Sequence, residues 1–457
     1  MGTETWNLAR MAKRGSALRS SRNFRESLGN AFYSVAEYIA QPATMLLAAP
    51  FLVRRLGLVQ FGIWMLVNAI LGSMGILSTG FGDATVKYVS AYRGQKNDAG
   101  VERTIRATLT INTVLGTLFG VLVWTIAPFA VHHIFKIEAE FHTACIQAIR
   151  ISAVILALRS MESVFVSTLR AFERYGPPVK LNVFLRMIVV ISAVVLAAMR
   201  RGVVAIMVAT LFWSALIVIL QALAARRVVG SFTAFPTFER EALAEVFSFG
   251  CFSWLQALAG VVFTYADRFL VAAMLGAAPV AIYALCVQAT QPIHGLAAAA
   301  FNFVFPHISS RLEAGEVKGP QRVFRLALLA SVGLALVLAL PMIVLSKPLL
   351  AFWMGKAVAN EGHLALALLT IAFAFLALNI VPHYALLALG RVRLVSGLNV
   401  GSGILMIPLM VILIPRFGLV GAALGRIFYS LLLAVLYLLA FRKAFRPQPE
   451  LAPVGIF

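Results

Sequence analysis

The chain has 457 residues, 61% of them hydrophobic and 12% charged, whereas a soluble domain carries about 25% charged residues. The apolar excess falls in many runs close to the ~20 residues with which a helix crosses a bilayer, which excludes an ordinary soluble protein. The net charge of +21 resides mainly in short segments between these runs, a pattern that predicts membrane orientation rather than a nucleic-acid partner.

Twelve apolar spans follow a basic N-terminal tail at residues 1–29. The first run is longer than the core of a signal peptide, so we expect it to be retained as a spanning helix. Together the spans predict an all-α polytopic membrane protein with about twelve transmembrane helices surrounded by membrane lipids. The predicted spans are 30–53, 61–82, 105–131, 143–168, 179–199, 204–225, 246–272, 279–303, 323–346, 363–386, 392–414 and 418–440.

The Lys and Arg residues of the loops and tails predict the orientation. Alternate loops place 24 of them on one side of the predicted membrane and eight on the other. Because basic loops stay in the cytoplasm, we expect a multi-pass protein of the inner (plasma) membrane with both termini cytoplasmic. A missed or additional span would scramble this alternation, so the bias also supports the number of spans.

Two short motifs occur twice, which indicates an internal repeat. Leu56-Gly57 recurs as Leu275-Gly276, and Leu181-Asn182-Val183 recurs as Leu398-Asn399-Val400, at similar offsets of 219 and 217 residues. Six spans in each repeat give both halves the same topology, related by a pseudo-two-fold axis along the membrane normal, with a cavity between them. We expect six-helix bundles at 30–225 and 246–441, a cytoplasmic linker at 226–245 and a cytoplasmic tail at 442–457.

Ionisable residues inside the spans are costly, so they mark a cavity, an ion pair or an interface. In span 4, Arg159 and Glu162 are three residues apart and share a helix face. They form either a structural ion pair that holds a neighbouring helix or a cavity-lining pair that contacts an anionic substrate or a coupling proton. Arg186 in span 5 either snorkels to the surface or lines a cavity. Glu37 in span 1 either titrates, because burial raises the pKa of a carboxylate, or pairs with Arg186.

Two further charged pairs lie near the ends of spans. Asp83 and Lys87 are four residues apart at the inner end of span 2, where a structural pair is expected. Asp267 and Arg268 are adjacent near the outer end of span 7, and adjacent helical residues do not face each other, so at least one needs another partner. The candidate substrate contacts are Arg159, Arg186 and Arg268, and the candidate charge partners or ion-coupling groups are Glu37, Asp83, Glu162 and Asp267.

The sequence lacks the motifs that indicate catalysis or a cofactor. It has no Gly-rich phosphate loop, zinc motif or nucleophile elbow. Its three cysteines, Cys145, Cys251 and Cys286, lie in apolar segments without the spacing of metal ligands. We therefore expect a protein that is not an enzyme and has neither a metal site nor a cofactor.

Motifs spread over the whole chain carry a family resemblance. One is Leu56-Gly57-x3-Phe61-Gly62-Ile63-Trp64, and another is Gly80-Phe81-Gly82-Asp83 at the end of span 2. A third consists of Asp267-Arg268-Phe269-Leu270 followed by Leu275-Gly276 and Ile282-Tyr283, and it has Ala281 where the family usually has glycine. A fourth is Ile414-Pro415-x2-Gly418. In this order they resemble the polysaccharide and O-antigen flippases, a branch of the multidrug/oligosaccharidyl-lipid/polysaccharide exporter superfamily.

The resemblance implies two six-helix bundles around a central cavity. It implies that an undecaprenyl-pyrophosphate-linked oligosaccharide (an O-antigen, capsule or exopolysaccharide repeat unit) crosses the membrane by alternating access, driven by an ion gradient. It also implies a polysaccharide polymerase and chain-length proteins as further partners. Arginines suit such a cargo because a guanidinium binds two phosphate oxygens at once.

Three alternatives to this function stay open. One is a cation-coupled multidrug exporter of the same superfamily, whose cationic cargo would favour acidic pockets. Another is a lipid II flippase, which has helices beyond twelve. From a different class, a membrane polysaccharide polymerase or ligase would need a large outer loop for its catalytic residues.

Overall fold

The computed structural model describes residues 44–73, 76–174, 176–230, 237–313 and 318–444. These ranges consist of helices joined by short turns and contain no strand, which confirms the predicted all-α class. A π-helical turn, Ala130–Ile134, and a 3-10 turn, Ala139–Phe141, connect the third helix to the fourth. The helices are α1 (Thr44–Ser73), α2 (Ile76–Gly94), α3 (Asp98–Phe129), α4 (His142–Ala171), α5 (Gly176–Ala198), α6 (Val203–Val229), α7 (Arg240–Met274), α8 (Ala277–Phe301), α9 (Val304–Glu313), α10 (Lys318–Val344), α11 (Ser346–Met354), α12 (Lys356–Leu378), α13 (Ile380–Ala388), α14 (Val392–Phe417) and α15 (Leu419–Ala444).

Nine helical segments within the described ranges are long and apolar enough to cross a membrane. Helices α7 and α8 have 35 and 25 residues, also enough to span a bilayer, but they include polar residues such as Asp267 and Gln288. The predicted spans are therefore helical where they fall in the described ranges. The predicted boundary between spans 1 and 2 is wrong, because residues 54–60 lie within α1 and span 2 is divided between α1 and α2. The predicted N-terminal tail, most of span 1 and residues 445–457 of the predicted C-terminal tail lie outside those ranges.

Several helices extend beyond the predicted apolar spans. Span 2 was expected to end at 82, but α2 continues to Gly94, and α7 begins at Arg240 rather than at 246. Charged helical turns outside the hydrocarbon carry no desolvation cost, so hydropathy does not report them. The predicted linker at 226–245 accordingly contains the end of α6 and the start of α7, with residues 231–236 outside the described ranges.

The repeated Leu-Gly motif marks the same backbone feature in both halves. Gly57 has φ = +80° and Gly276 has φ = +104°, in the left-handed region where a Cβ is strained. Gly276 separates α7 from α8, whereas Gly57 lies within α1 and has the positive φ there. The two glycines of the predicted repeat thus share a positive φ, although only Gly276 lies between two helices.

Helix packing repeats as well. We refer to α1–α6 as the first half and to α7–α15 as the second half. In the first half α4 packs against α2, α3 and α6, and in the second half α12 packs against α8, α10 and α15. In both halves the fourth span therefore contacts the second, third and sixth spans of its own bundle. This shared pattern is what a duplicated six-span bundle produces.

The two halves touch at both ends of the molecule. At the end where α7 terminates, which we call the opposite end, the Lys136 amide donates a 3.1 Å hydrogen bond to the Ala272 carbonyl. Gly62 there lies so close to α8 that a Cβ would overlap the carbonyl oxygen of Ala277. These contacts join the third-to-fourth helix connection and α1 of the first half to α7 and α8 of the second.

The other end, where α2 ends and α7 begins, carries the predicted basic loops, and we call it the basic end. Thr110 Oγ1 donates a 2.8 Å hydrogen bond to the Thr237 carbonyl and accepts a 2.9 Å hydrogen bond from the Thr237 amide. Arg103 pairs with Glu239 at 3.0 Å. Tyr92 Oη donates a 2.9 Å hydrogen bond to the Glu245 carboxylate. This hydrogen bond raises the pKa of the Tyr92 phenol above its ordinary value, so the hydroxyl remains a donor.

Candidate functional site

Helix α4 carries the most central charges, and small residues fix its position. A Cβ at Gly116 of α3 would overlap Ser160 Oγ, and a Cβ at Gly120 would lie 2.9 Å from a carbonyl oxygen of α4. Close backbone approach of this kind is typical of packed membrane helices. It fixes the face of α4 that contacts α3 and so sets the direction of the neighbouring face, which carries Arg159 and Glu162.

The structure places Arg159 and Glu162 of α4 close enough to Arg186 of α5 for the three to interact electrostatically. Glu162 is buried, with 9% of its surface exposed, whereas Arg159 and Arg186 are partly buried. Arg159 interacts electrostatically with Glu162 and Arg186, and Glu162 interacts with both arginines. Because a single carboxylate faces two guanidinium groups, this part of the site has a net positive charge.

Tyr265 of α7 connects these residues to the second half. It interacts electrostatically with Arg159, and the Arg268 guanidinium lies 5.1 Å from the centre of its ring. The second contact is a cation–π interaction. Tyr265 was not among the candidates predicted from the sequence, although its position three residues before Arg268 places it on the same helix face.

We call Arg159, Glu162, Arg186, Tyr265 and Arg268 the central cluster. Its three arginines occupy different depths. Arg186 and Arg159 lie about 15 and 18 Å along their helices from the basic end, and Arg268 lies about 9 Å from the opposite end. The positive groups of the cluster are therefore distributed along the membrane normal rather than gathered at one level.

Asp267 belongs to a separate network inside the second half. Its side chain is fully buried. Tyr283 Oη donates a 3.0 Å hydrogen bond to its carboxylate, and the Arg426 guanidinium lies 3.7 Å from the same carboxylate. Arg426 also lies over the rings of Phe373 and Tyr429, each 5.8 Å from the ring centre. Asp267 thus has a partner other than the adjacent Arg268. Arg426 is the residue that the sequence analysis missed, although an arginine inside span 12 is itself an intramembrane charge.

The remaining candidates lie outside the central cluster. Asp83 is exposed near the basic end, where its carboxylate interacts with Arg170. Its partner Lys87, predicted from the spacing, is on the same helix and lies 5.1 Å from the centre of the Tyr88 ring. Glu37 lies outside the described residues, and its predicted proximity to Arg186 stays a prediction.

The chemistry of the central cluster suits an anion. Three guanidinium groups against one carboxylate give a formal charge of +2, and arginine binds phosphate oxygens in a planar fork. In the part of the chain that is described, no group of three or more His, Cys, Asp or Glu residues is placed to hold a metal ion. Cys145 and Cys286 are buried free thiols.

The polysaccharide biosynthesis protein family matches residues 27–312, more than half of the chain. The chain belongs to this family. The resemblance predicted from the sequence motifs is therefore confirmed. A protein of Shigella flexneri named "Putative O-antigen transporter" is 25% identical over 421 residues, covering 88% of this chain and 93% of that protein.

Solved structures share the fold. The lipid II flippase MurJ in an inward closed conformation has a TM-score of 0.76 at 12% identity, over 91% of this chain and 89% of that one. An inward-facing multidrug resistance MATE family transporter of the MOP superfamily has a TM-score of 0.71 at 16% identity, over 91% and 94%. The family member described here therefore has the two-lobed helical architecture of these membrane transporters.

Proposed function

We propose that the protein is a flippase that moves an undecaprenyl-pyrophosphate-linked oligosaccharide across the inner membrane by alternating access. The cargo would be an O-antigen, capsule or exopolysaccharide repeat unit. The family assignment and the name of the Shigella relative support this class of cargo. The observation that carries the proposal is the central cluster, a net-positive group of residues that includes arginines from both halves.

The charge of the cluster discriminates between the transporter alternatives. A cationic drug would meet three arginines and one carboxylate, and like charges in a medium of low dielectric constant repel each other strongly. A pyrophosphate would instead gain charge-assisted hydrogen bonds from the guanidinium groups. Arg159, Arg186 and Arg268 are the proposed pyrophosphate contacts.

Alternating access requires that the halves separate at one end at a time. Opening at the basic end would break the contacts of Thr110, Tyr92 and Arg103 with the start of α7, all of which are hydrogen bonds or exposed ion pairs. Opening at the opposite end would break the Lys136–Ala272 hydrogen bond and the contact of Gly62 with α8. In the proposed cycle the cargo loads from the cytoplasmic leaflet at the basic end and leaves at the opposite end.

We further propose that an ion gradient drives transport through Glu162. Its carboxylate interacts electrostatically with two arginines that would contact the cargo, so its charge affects their availability. Asp267 is held by Arg426 and Tyr283, which favours a structural role for it. Asp83 and Glu37 stay secondary candidates for coupling. A polysaccharide polymerase and chain-length proteins are the proposed partners, and both termini are proposed to be cytoplasmic.

The test is leaflet reversal in proteoliposomes. A fluorescently tagged, pyrophosphate-linked polyprenyl oligosaccharide is incorporated, and the fraction exposed to an external lectin is followed with and without a proton gradient. We expect protein-dependent movement of the glycan between leaflets that accelerates with the gradient. No movement of this lipid or of native lipid-linked sugars, in tight vesicles with folded protein, would overturn the proposal.

The cluster itself is tested by substitution. Arg159→Ala and Arg186→Ala should each reduce transport at least tenfold at equal expression, because each removes a bidentate phosphate contact. Arg416→Ala, which removes an exposed arginine of α14, is the matched control and should leave transport unchanged. Normal transport by both cluster variants would show that these arginines do not bind the cargo.

A further inference from the structure

Tyr265 occupies an unusual position between the two halves. It belongs to α7, yet its ring is packed on Gly72 of α1, where a Cβ would overlap the ring and would lie 2.8 Å from Cε1. The residue is only partly buried, so its phenol is not enclosed in a core. A glycine at position 72 is therefore needed to seat this ring at the interface.

The Arg268 guanidinium stacks on the same ring. The guanidinium lies 5.1 Å from the ring centre, three residues further along α7. An arginine side chain has many rotamers, and binding an anion requires that it be held in one of them. Stacking on an aromatic face fixes a planar guanidinium in orientation while leaving its edge, which carries the N–H donors, available to a ligand.

Tyr265 is also close enough to Arg159 of the first half to affect it electrostatically. The ring therefore lies near residues of both halves, with Gly72 and Arg159 from the first and Arg268 from the second. We propose that Tyr265 is a positioning residue that holds Arg268 towards Arg159 so that both guanidinium groups reach one diphosphate. This inference rests on the proposed function, and it assigns to Tyr265 a role in anion affinity rather than in the mechanics of transport.

The proposal distinguishes the ring from the hydroxyl. Tyr265→Phe keeps the face on which Arg268 stacks and the ring carbons that contact Gly72, whereas Tyr265→Leu removes the stacking. Gly72→Ala displaces the ring without changing either functional residue. Gly401→Ala is the matched control, because a Cβ at that helical glycine of α14 would meet open space.

The measurement uses a short-chain polyprenyl pyrophosphate without sugar as a competitor of flipping in proteoliposomes. Its inhibition constant reports the anion site, and the maximal flipping rate reports the transport cycle. We expect Tyr265→Leu and Gly72→Ala to raise the inhibition constant at least tenfold, with the maximal rate changed less than threefold. Tyr265→Phe and Gly401→Ala should both stay within threefold of the wild type.

A double variant tests whether Tyr265 acts through Arg268. In an Arg268→Gln background, Tyr265→Leu should change the inhibition constant less than twofold, because the residue that it positions is already absent. A full tenfold effect in that background would overturn the proposal, as would an unchanged inhibition constant in Tyr265→Leu alone. If Tyr265→Leu does not fold, Gly72→Ala is compared instead in the wild-type and Arg268→Gln backgrounds, with the same expected results.

Different results would exclude the proposed function and the role of Tyr265. A wild-type protein that neither flips the lipid-linked oligosaccharide nor responds to the polyprenyl pyrophosphate would remove the proposed function, and this inference with it. A wild-type protein that flips and is inhibited, with Tyr265→Leu and Gly72→Ala inhibited equally well, would remove only the role of Tyr265.

Discussion

The ion pair between Asp267 and Arg426 should be essential for the fold of the second half. The carboxylate has no exposed surface, and 7% of the arginine side chain is exposed. Removal of one partner leaves a buried charge without compensation, which costs about 3–5 kcal/mol, or roughly a 10²–10⁴-fold change in the folding equilibrium. We therefore expect Arg426→Met and Asp267→Asn each to destabilise the protein strongly.

The two single variants should not be equal. In Arg426→Met the remaining carboxyl group can become neutral by taking up a proton, whereas in Asp267→Asn the remaining guanidinium stays charged. Asp267→Asn should therefore cost at least as much as Arg426→Met. The double variant removes both charges and should recover about 2 kcal/mol or more relative to the sum of the single variants.

The assay is unfolding of the purified protein in mixed micelles titrated with sodium dodecyl sulfate, followed by tryptophan fluorescence. Arg416→Met removes an exposed arginine in α14 and should change stability by about 0.5 kcal/mol or less. Additive effects of Arg426→Met and Asp267→Asn, with no recovery in the double variant, would refute the reasoning that the two charges compensate each other.

Other substitutions test the contacts between the halves. Gly62→Ala should abolish flipping, because a Cβ there meets a backbone carbonyl oxygen that cannot rotate away, whereas Gly333→Ala, which faces open space, should flip normally. Tyr92→Phe removes the hydrogen bond to Glu245 and should weaken closure of the basic end by about 0.5–1.5 kcal/mol, measured as faster maleimide labelling of a cysteine placed there. Arg103→Gln should increase the same labelling by a smaller factor, and high salt should reproduce its effect in the wild type, because exposed ion pairs contribute only about 0–1 kcal/mol.

The architecture could be predicted because the bilayer restricts what a sequence can do. A spanning segment must be an apolar helix of about twenty residues, so hydropathy alone locates most helices. The repeat was visible in a few motif residues, and the structure shows why one of them recurs: Gly57 and Gly276 both adopt positive φ. Beyond the hydrocarbon a helix need not be apolar, and hydropathy therefore did not predict the extension of α2 to Gly94.

The site was predictable only in part, because charge and depth identify candidates without pairing them. Spacing on one helix was enough to place Arg159 beside Glu162. It gave no means to connect Asp267 with Arg426, since the two residues are 159 positions apart in the chain and meet only when α7 packs beside α15. Tyr265 could not be predicted for another reason. An aromatic residue in an apolar span usually packs in the core or faces lipid, and the proposed role of Tyr265 depends on its contact with Gly72.

The arrangement of charge in the central cluster gives the cargo a way to bias the transport cycle. A ligand shifts a conformational equilibrium only by its difference in affinity for the two states. Arg159 and Arg186 belong to the first half, whereas Arg268 belongs to the second, and one carboxylate does not neutralise all three. A diphosphate bound by arginines of both halves would be attracted to each of them, and so it would favour the state in which the halves are close. We infer that the closed, loaded state is stabilised mainly by the anion, and that substitution of Arg268 by Gln should make closure less dependent on cargo.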